Sequence, residues 1–399
     1  MRNYPDHNLT LAQALHNWRR GGADRIDYEL EIDRDWESPP RCERLAVTYE
    51  FKIDETGEDA VAIRAHLGEH SLDLQCPVRL GPARIKKPWG EEIWYTAIEA
   101  RGESTVITPA GEVSLATYLS LAPDRLCRRQ PIILLKVLNP KPEPITGELY
   151  FEVHEEKREV YVVTHVDATA WPDGVGYIRL GMNQEVRGRF RDDDAFRAAF
   201  LKAVKNYESI RKRVDAGAAS EALGETSARE QVESFSVLQP LVVGDVVVVP
   251  TWLPHCLQHG VRVVEFQTPT YERHIISFDQ QVLTQDQWDS ATAISQMRLD
   301  APIAATFDTV APGVECIVTF DDFAVWRVQL AGGAEFPLPA DLPYAVCMAL
   351  GGEIAISTSD GTLSLAHEQA AFVPAAASAA KLVNSQPRAV SCLIAAPGL

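Results

Sequence analysis

Residues 244–255 read GDVVVVPTWLPH and place a turn, a strand and a histidine in close succession. Gly244 and Asp245 are turn formers, and the four valines that follow predict a buried strand. Pro250 ends this strand because proline cannot donate a backbone hydrogen bond to a ladder. The stretch therefore predicts a β protein in which His255 emerges at the mouth of the loop that follows a core strand.

A second segment, EVHEEKRE at residues 152–159, offers further metal-binding groups where a strand meets a tight turn. Side chains two residues apart in a strand share a face, so Glu152 and His154 can point at one spot. The returning strand can bring Glu159 to the same spot. Imidazole nitrogens and carboxylate oxygens suit zinc, manganese or iron, although this pattern alone is also typical of a solvated hairpin.

Together the two segments, ExHx4E followed by G-x5-P-x4-H, resemble the two cupin motifs. In cupins the histidine of the second motif completes a metal site inside the barrel. Further segments are similar to successive sequence motifs of the type I mannose-6-phosphate isomerases, over about residues 84–290. They are LATYLSLAPDRL (115–126), PIILLKVLN (131–139), KREVYVV (157–163) and VVEFQTPTYER (263–273). The resemblance implies a mainly β, double-stranded β-helix (cupin or jelly-roll) fold with a helical insertion and a second, degenerate C-terminal cupin-like domain.

The resemblance also implies a ligand set for one divalent metal ion, zinc first, with manganese or iron open. The four residues that match the family's metal ligands are Glu152, His154, Glu159 and His255. Glu152 stands where the family has glutamine, so the site would hold two carboxylates, and a harder metal becomes plausible.

The same resemblance implies residues that contact the substrate. Lys157 matches the family's substrate-contacting lysine, and Arg273 is the nearest match to its arginine after the last barrel strand. Residues 265–273 are shorter than usual in the family, and an alternative alignment of Thr270, Tyr271 and Glu272 puts Glu272 at the arginine's position.

The implied reaction interconverts mannose 6-phosphate and fructose 6-phosphate through a cis-enediol, with the metal acting as a Lewis acid on the sugar oxygens. Glu265, on VVEFQ, is the first candidate for the group that moves the proton between carbons, and Lys136, in LLKVL, is the second. Arg273 would assist in catalysis by charge. The alternatives are that Lys136 and Glu265 form a structural ion pair and that Arg273 is a surface salt-bridge residue.

Chain length predicts more than one domain. The residue patterns predict a helix (9–20) and a small β unit within residues 1–83. The family resemblance implies a metal-binding domain at 84–290 and a ligand-free β domain at 291–399. A polar helical stretch at about 192–235 would be an insertion, and 140–146 a loop.

The net charge of −18 argues against nucleic acid as a partner. The polar N-terminus and the absence of a long apolar run predict a cytoplasmic protein without membrane contact. The expected partner is a sugar or sugar phosphate; the oligomeric state stays open.

Two other functions stay open. One is a different metal cupin, such as an oxygenase or an isomerase or epimerase of unphosphorylated sugars, because one fold hosts many chemistries. The other is a non-catalytic sugar-binding cupin.

Overall fold

The computed structural model of the protein describes residues 25–53, 60–143, 151–217, 222–277, 288–302, 304–377 and 379–398. The predicted opening helix at 9–20 and the end of the predicted loop at 144–146 lie outside these ranges. Within them the chain is mainly β, of the cupin type, as predicted, and the described strands form no closed barrel. None of the described helices is long and apolar enough to cross a membrane.

The elements follow one another along the chain in three stretches. The first contains β1 Arg25–Arg34, β2 Arg41–Ile53, β3 Ala60–Leu67, β4 His70–Asp73, β5 Val78–Gly81, β6 Ala83–Lys87, β7 Gly90–Trp94, β8 Ile98–Glu99, β9 Gly102–Glu103, β10 Thr105–Thr108, β11 Gly111–Ser114, α1 Leu115–Leu121, α2 Pro123–Leu126 and β12 Leu134–Pro140. The second contains β13 Phe151–Val153, β14 Glu159–Val166, β15 Gly176–Met182, α3 Gln184–Arg187, α4 Asp193–Asp215, α5 Ala222–Glu233, β16 Ser236–Leu241, β17 Val246–Val249, β18 His255–Leu257, β19 Val261–Gln267, β20 His274–Ser277 and α6 Ser290–Gln296. The third contains β21 Asp308–Ala311, β22 Val314–Thr319, β23 Phe323–Leu330, β24 Glu335–Pro337, β25 Tyr344–Leu350, β26 Ile354–Ser357, β27 Thr362–Leu365, β28 Ala370–Pro374, β29 Lys381–Val383 and β30 Val390–Pro397.

The described chain divides into two compact units, each of which is discontinuous in sequence. The first comprises the described residues of 25–85, 93–136 and 307–398, and the second those of 86–92 and 137–306. This grouping differs from the three consecutive segments predicted from the sequence, because residues 93–136 fall with the C-terminal strands. Pairing between strands far apart in sequence leaves no local pattern, so the sequence could not indicate this grouping. The division into three consecutive domains stays a prediction.

The first unit contains a nine-stranded sheet in the order β11-β10-β5-β28-β25-β30-β23-β22-β21, together with the sheets β1-β2-β3-β4 and β24-β29-β26-β27. The C-terminal strands bury alternate apolar side chains in one core, which includes Ile356, Leu382 and Ile394. Period-two burial of this kind is what a sheet with one packed face requires. The strand-rich C-terminal segment therefore forms as predicted.

The second unit is built around two sheets. One has the order β16-β15-β18-β13-β20; the other has the order β17-β14-β19-β12-β7-β6, of which residues 137–140, 90–92 and 86–87 of the last three strands belong to this unit. Alternate residues of the first sheet enter two different cores. Leu180 and Leu257 pack with Tyr161 and Val263 of the second sheet, whereas Val153 and Cys256 pack behind the first sheet against the helices.

The predicted helical insertion is confirmed by α4 and α5. Asp192 caps α4 by accepting a hydrogen bond from the backbone N–H of Ala195. Phe196, Phe200 and Tyr207 are buried along one face of α4, at the spacing of an amphipathic helix. The helices therefore cover the outer face of the sheet that carries β13 and β18, which fixes the position of these two strands.

Candidate metal centre

Three potential ligands converge on the inner face of the first sheet of the second unit. Glu152 on β13 lies directly opposite His255 on β18, so the two side chains share a face. His154 follows the end of β13. One ligand atom from each of Glu152, His154 and His255 lies within 4.8 Å of the others. The sequence prediction had placed all three at one spot, and the structure brings them together.

Both histidines are held by backbone carbonyl groups. Nδ1 of His154 lies 3.0 Å from the carbonyl oxygen of Glu272, and Nδ1 of His255 lies 3.0 Å from that of Leu253. A carbonyl oxygen can only accept, so each Nδ1 must carry the proton and donate it. In the neutral imidazole this leaves the lone pair on Nε2, which is the arrangement of metal-binding histidines.

The loop that carries His255 is tied to the other histidine ligand. Trp252, between Pro250 and His255, has a positive φ of 62° and donates its backbone N–H to the carbonyl oxygen of His154 over 2.7 Å. Its indole stacks on the ring of His274, with 5.4 Å between ring centroids. A non-glycine residue holds this backbone conformation only where its surroundings impose it. The loop conformation is therefore part of the support for the two ligands.

Glu159 reaches the same place from the opposite sheet. Its Oε1 lies 3.5 Å from Nε2 of His154, and its Oε2 lies 3.2 Å from Nε2 of His255. Lys157 donates to Oε1 over 2.7 Å, and the hydroxyl of Tyr161 donates to Oε2 over 2.6 Å. Both carboxylate oxygens of Glu159 are thus fixed by charged or hydroxyl donors beside the two imidazoles.

Burial and charge fix the protonation states in this cluster. Burial acts to raise the pKa of Glu159, but the positive charge of Lys157 holds that pKa well below its usual range. Burial, assisted by the charge of Lys157, lowers the pKa of His154 well below its usual value. Glu159 is therefore an anion at neutral pH and His154 is neutral, the states that metal coordination requires. Burial acts to lower the pKa of His255, but the carboxylate of Glu159 outweighs it and raises that pKa, so a bound metal would displace the Nε2 proton of this imidazole.

A divalent cation fits these residues. Nε2 of His154, Nε2 of His255 and Oε2 of Glu152 are buried and have no hydrogen-bond partner within the described ranges. Leaving such an atom buried and unpaired costs about 1–3 kcal/mol. Two imidazole nitrogens and carboxylate oxygens are also the donor set of zinc, manganese and iron sites. Coordination would satisfy these atoms together.

Arg273 and Glu265, two predicted catalytic residues, lie in the same unit as this cluster. Nε of Arg273 is 3.9 Å from Oε2 of Glu152. Glu265 is 2% exposed and lies opposite Tyr161 in the β14–β19 ladder, so its side chain is on the face that carries Glu159. Together with the charges of Glu159 and Glu152, its charge acts to raise the pKa of Lys157 against the effect of burial.

Lys136, the other candidate for proton transfer, belongs to the first unit. Its ammonium group lies 5.5 Å from the centre of the Trp94 ring in that unit. A cation over an indole face is a stabilising contact in its own right. Its catalytic role stays a prediction.

Two residues of the site were missed in the sequence analysis. Tyr161 carried a usable signal, because it lies two residues after Glu159 on the same strand and so shares its face. Glu272 was considered only as a substitute for an arginine. In the structure its carboxylate points to the turn after His154, and no sequence pattern connects residues this far apart in the chain.

No family model and no curated protein matches the sequence of this chain. Its fold is similar to that of solved mannose 6-phosphate isomerases. The enzyme from Bacillus subtilis is 16% identical, with a TM-score of 0.59 over 80% of this chain and 99% of that one. The apo form from Salmonella typhimurium is 12% identical, with a TM-score of 0.61 over 81% and 99%. A zinc-bound mannose 6-phosphate isomerase is 12% identical, with a TM-score of 0.62 over 81% of this chain and 100% of that one.

Proposed function

We propose that this chain is a metal-dependent aldose–ketose isomerase that interconverts mannose 6-phosphate and fructose 6-phosphate. The observation that carries the proposal is the convergence of two Nε2-presenting imidazoles and the carboxylate of Glu152 inside a cupin-type sandwich. The similarity of the fold to mannose 6-phosphate isomerases supports a sugar isomerase over other uses of such a site.

The proposed metal ligands are Glu152, His154, Glu159 and His255. Zinc is the metal we propose, since a solved neighbour is described as zinc-bound, and manganese or iron would suit the same donors. When bound, the ion would supply Lewis acidity for a sugar carbonyl and the neighbouring hydroxyl. In the described contacts Glu159 is bonded to Lys157 and Tyr161, so its coordination requires that these donors share or release its oxygens.

The proton transfer is assigned to Glu265. The reaction moves a proton from C2 of the aldose to C1 through a cis-enediol, while the hydroxyl proton of O2 is transferred to O1. A single buried carboxylate can carry the proton between the two carbons. Lys157 and Arg273 would hold the sugar oxygens or the phosphate by charge. Burial of Glu265 limits the access of water, which competes for the proton.

A second candidate substrate is an unphosphorylated sugar. Lys157 is bonded to Glu159 over 2.7 Å, and Arg273 lies 3.9 Å from Glu152, so the positive charge of each is balanced by a carboxylate beside it. A phosphate dianion gains less from a cation that is already paired. This observation favours an unphosphorylated sugar over a sugar phosphate.

The test is an isomerisation assay with mannose 6-phosphate and, in parallel, with mannose, after metal analysis of the purified protein. Wild type, His255→Ala and His165→Ala are compared; His165 is an exposed histidine on the strand that carries Glu159. We expect His255→Ala to lose metal and turnover, and His165→Ala to retain both. Metal without turnover of either sugar would exclude the isomerase.

A further inference from the structure

The carboxylate of Glu272 accepts hydrogen bonds from the turn that joins two proposed metal ligands. The backbone N–H of Glu155 lies 2.9 Å from Oε1 and 3.0 Å from Oε2, and that of Glu156 lies 3.1 Å from Oε2. Successive amides that face one carboxylate form a small anion-binding concavity. Bonds to an ionised acceptor are also stronger than those between neutral groups.

Other groups of the same loop hold both ends of this turn. The backbone carbonyl of Glu272 accepts the Nδ1 proton of His154 over 3.0 Å. At the other end, Arg158 donates its backbone N–H to Oγ1 of Thr268 over 3.1 Å and accepts from the backbone N–H of Thr268 over 3.0 Å. The loop at 268–272 therefore fixes the chain just after His154 and just before Glu159.

We infer that Glu272 is a positioning residue for the metal centre: its carboxylate sets the conformation of turn 155–158 and thereby the separation and orientation of His154 and Glu159. The inference rests on the proposed metal-dependent function. Glu272 acts through the turn and not on the substrate. Partners of this kind typically change metal affinity by about 10–100-fold when removed.

The structure suggests why a charged carboxylate is needed here. Glutamine at position 272 could present only one acceptor oxygen, and its NH₂ group would face amide donors of Glu155 or Glu156. Alanine would leave both amides without this acceptor. Loss of metal affinity should therefore increase from wild type to Glu272→Gln to Glu272→Ala.

The experiment measures Zn²⁺ affinity by competition with a chromophoric chelator, and the visible absorption of the Co²⁺-loaded protein, for wild type, Glu272→Gln and Glu272→Ala. The control is Asp192→Ala, which removes another carboxylate that caps a backbone amide in the same unit, at the N-terminus of α4. We expect about a tenfold or larger loss of Zn²⁺ affinity for Glu272→Ala, a smaller loss for Glu272→Gln, and an altered Co²⁺ spectrum. The control should keep wild-type values.

Wild-type Zn²⁺ affinity and an unchanged Co²⁺ spectrum in both Glu272 variants would overturn the inference. If Glu272→Ala does not fold, Glu272→Gln decides alone, and a wild-type affinity for it counts against the inference. The proposed function is judged separately by turnover: a wild type that binds Zn²⁺ tightly but isomerises no sugar removes the function and leaves the role of Glu272 measurable. A wild type that binds neither ion overturns both.

Discussion

The β core of the C-terminal strands and the sandwich of the second unit use the same strand periodicity for different purposes. The first encloses apolar side chains such as Ile356 and Leu382. In the second, the inner face changes along each strand: Val263 is followed on the same face by Glu265, and Leu257 is preceded by His255. The comparison shows that a site arises where polar groups replace apolar ones at inward positions, while the strand pairing is retained.

This difference predicts that polar residues on the inner faces of the second unit contribute more to the reaction than to stability. Glu265, the proposed proton carrier, should show the largest effect on kcat. Glu265→Gln keeps the shape of the side chain and removes its basicity. We expect kcat to fall roughly 100–10,000-fold, because general base catalysis contributes that much, while Zn²⁺ binding is retained. Steady-state kinetics and metal analysis measure the two quantities on the same preparation.

Lys136→Gln is the comparison that can contradict this assignment. If Lys136 carries the proton, its variant and not Glu265→Gln should lose turnover and the exchange of the C2 hydrogen with deuterated solvent. Equal loss of stability in both variants, without a specific loss of kcat, would instead favour the alternative that Lys136 and Glu265 form a structural ion pair.

The apolar core of the first unit should respond in the opposite way. Leu382→Ala removes a fully buried side chain on β29, and we expect it to lower the free energy of unfolding by about 2–5 kcal/mol. Zn²⁺ affinity should stay at the wild-type value, because Leu382 belongs to a different core from the proposed ligands. Urea unfolding and chelator competition test both statements. Ile356→Val, in the same core, should cost only about 0.5–1.5 kcal/mol; a loss of Zn²⁺ affinity in either variant would contradict the separation.

Local patterns in the sequence were sufficient to predict the mainly β character, the helical insertion and the shared face of Glu152 and His154, whereas the addition of His255 to this group came from the family resemblance. The local patterns follow short-range rules: period two in strands, the helical period in α4, and proline at a strand end. The compact units could not be predicted this way. The nine-stranded sheet places β5 beside β28, and no periodicity in either strand names the partner.

The supporting contacts of the site were harder to predict than its proposed ligands. Glu272 reaches the turn after His154 across more than a hundred residues of chain, and its role depends on backbone amides, which every sequence has. Lys136 illustrates the converse. A lysine within an apolar strand signals that the residue is buried, but not which groups surround it, and in the structure it lies over Trp94.

Tyr161 provides the smallest and most local test of the comparison, since it lies where the sandwich interior changes from apolar to polar. Its hydroxyl donates to Oε2 of Glu159 over 2.6 Å, while its ring packs in the apolar core. Tyr161→Phe keeps the ring and removes one hydrogen bond to a proposed ligand, so we expect Zn²⁺ affinity to fall by about tenfold. The free energy of unfolding should fall by about 1–3 kcal/mol, because a buried carboxylate oxygen loses a donor. Tyr177→Phe, which removes a hydroxyl from a half-buried tyrosine on β15, is the control and should bind Zn²⁺ as the wild type does. Equal affinities for the two variants would mean that the polar end of the sandwich does not depend on this bond to orient Glu159, and that Lys157 alone is enough to hold it.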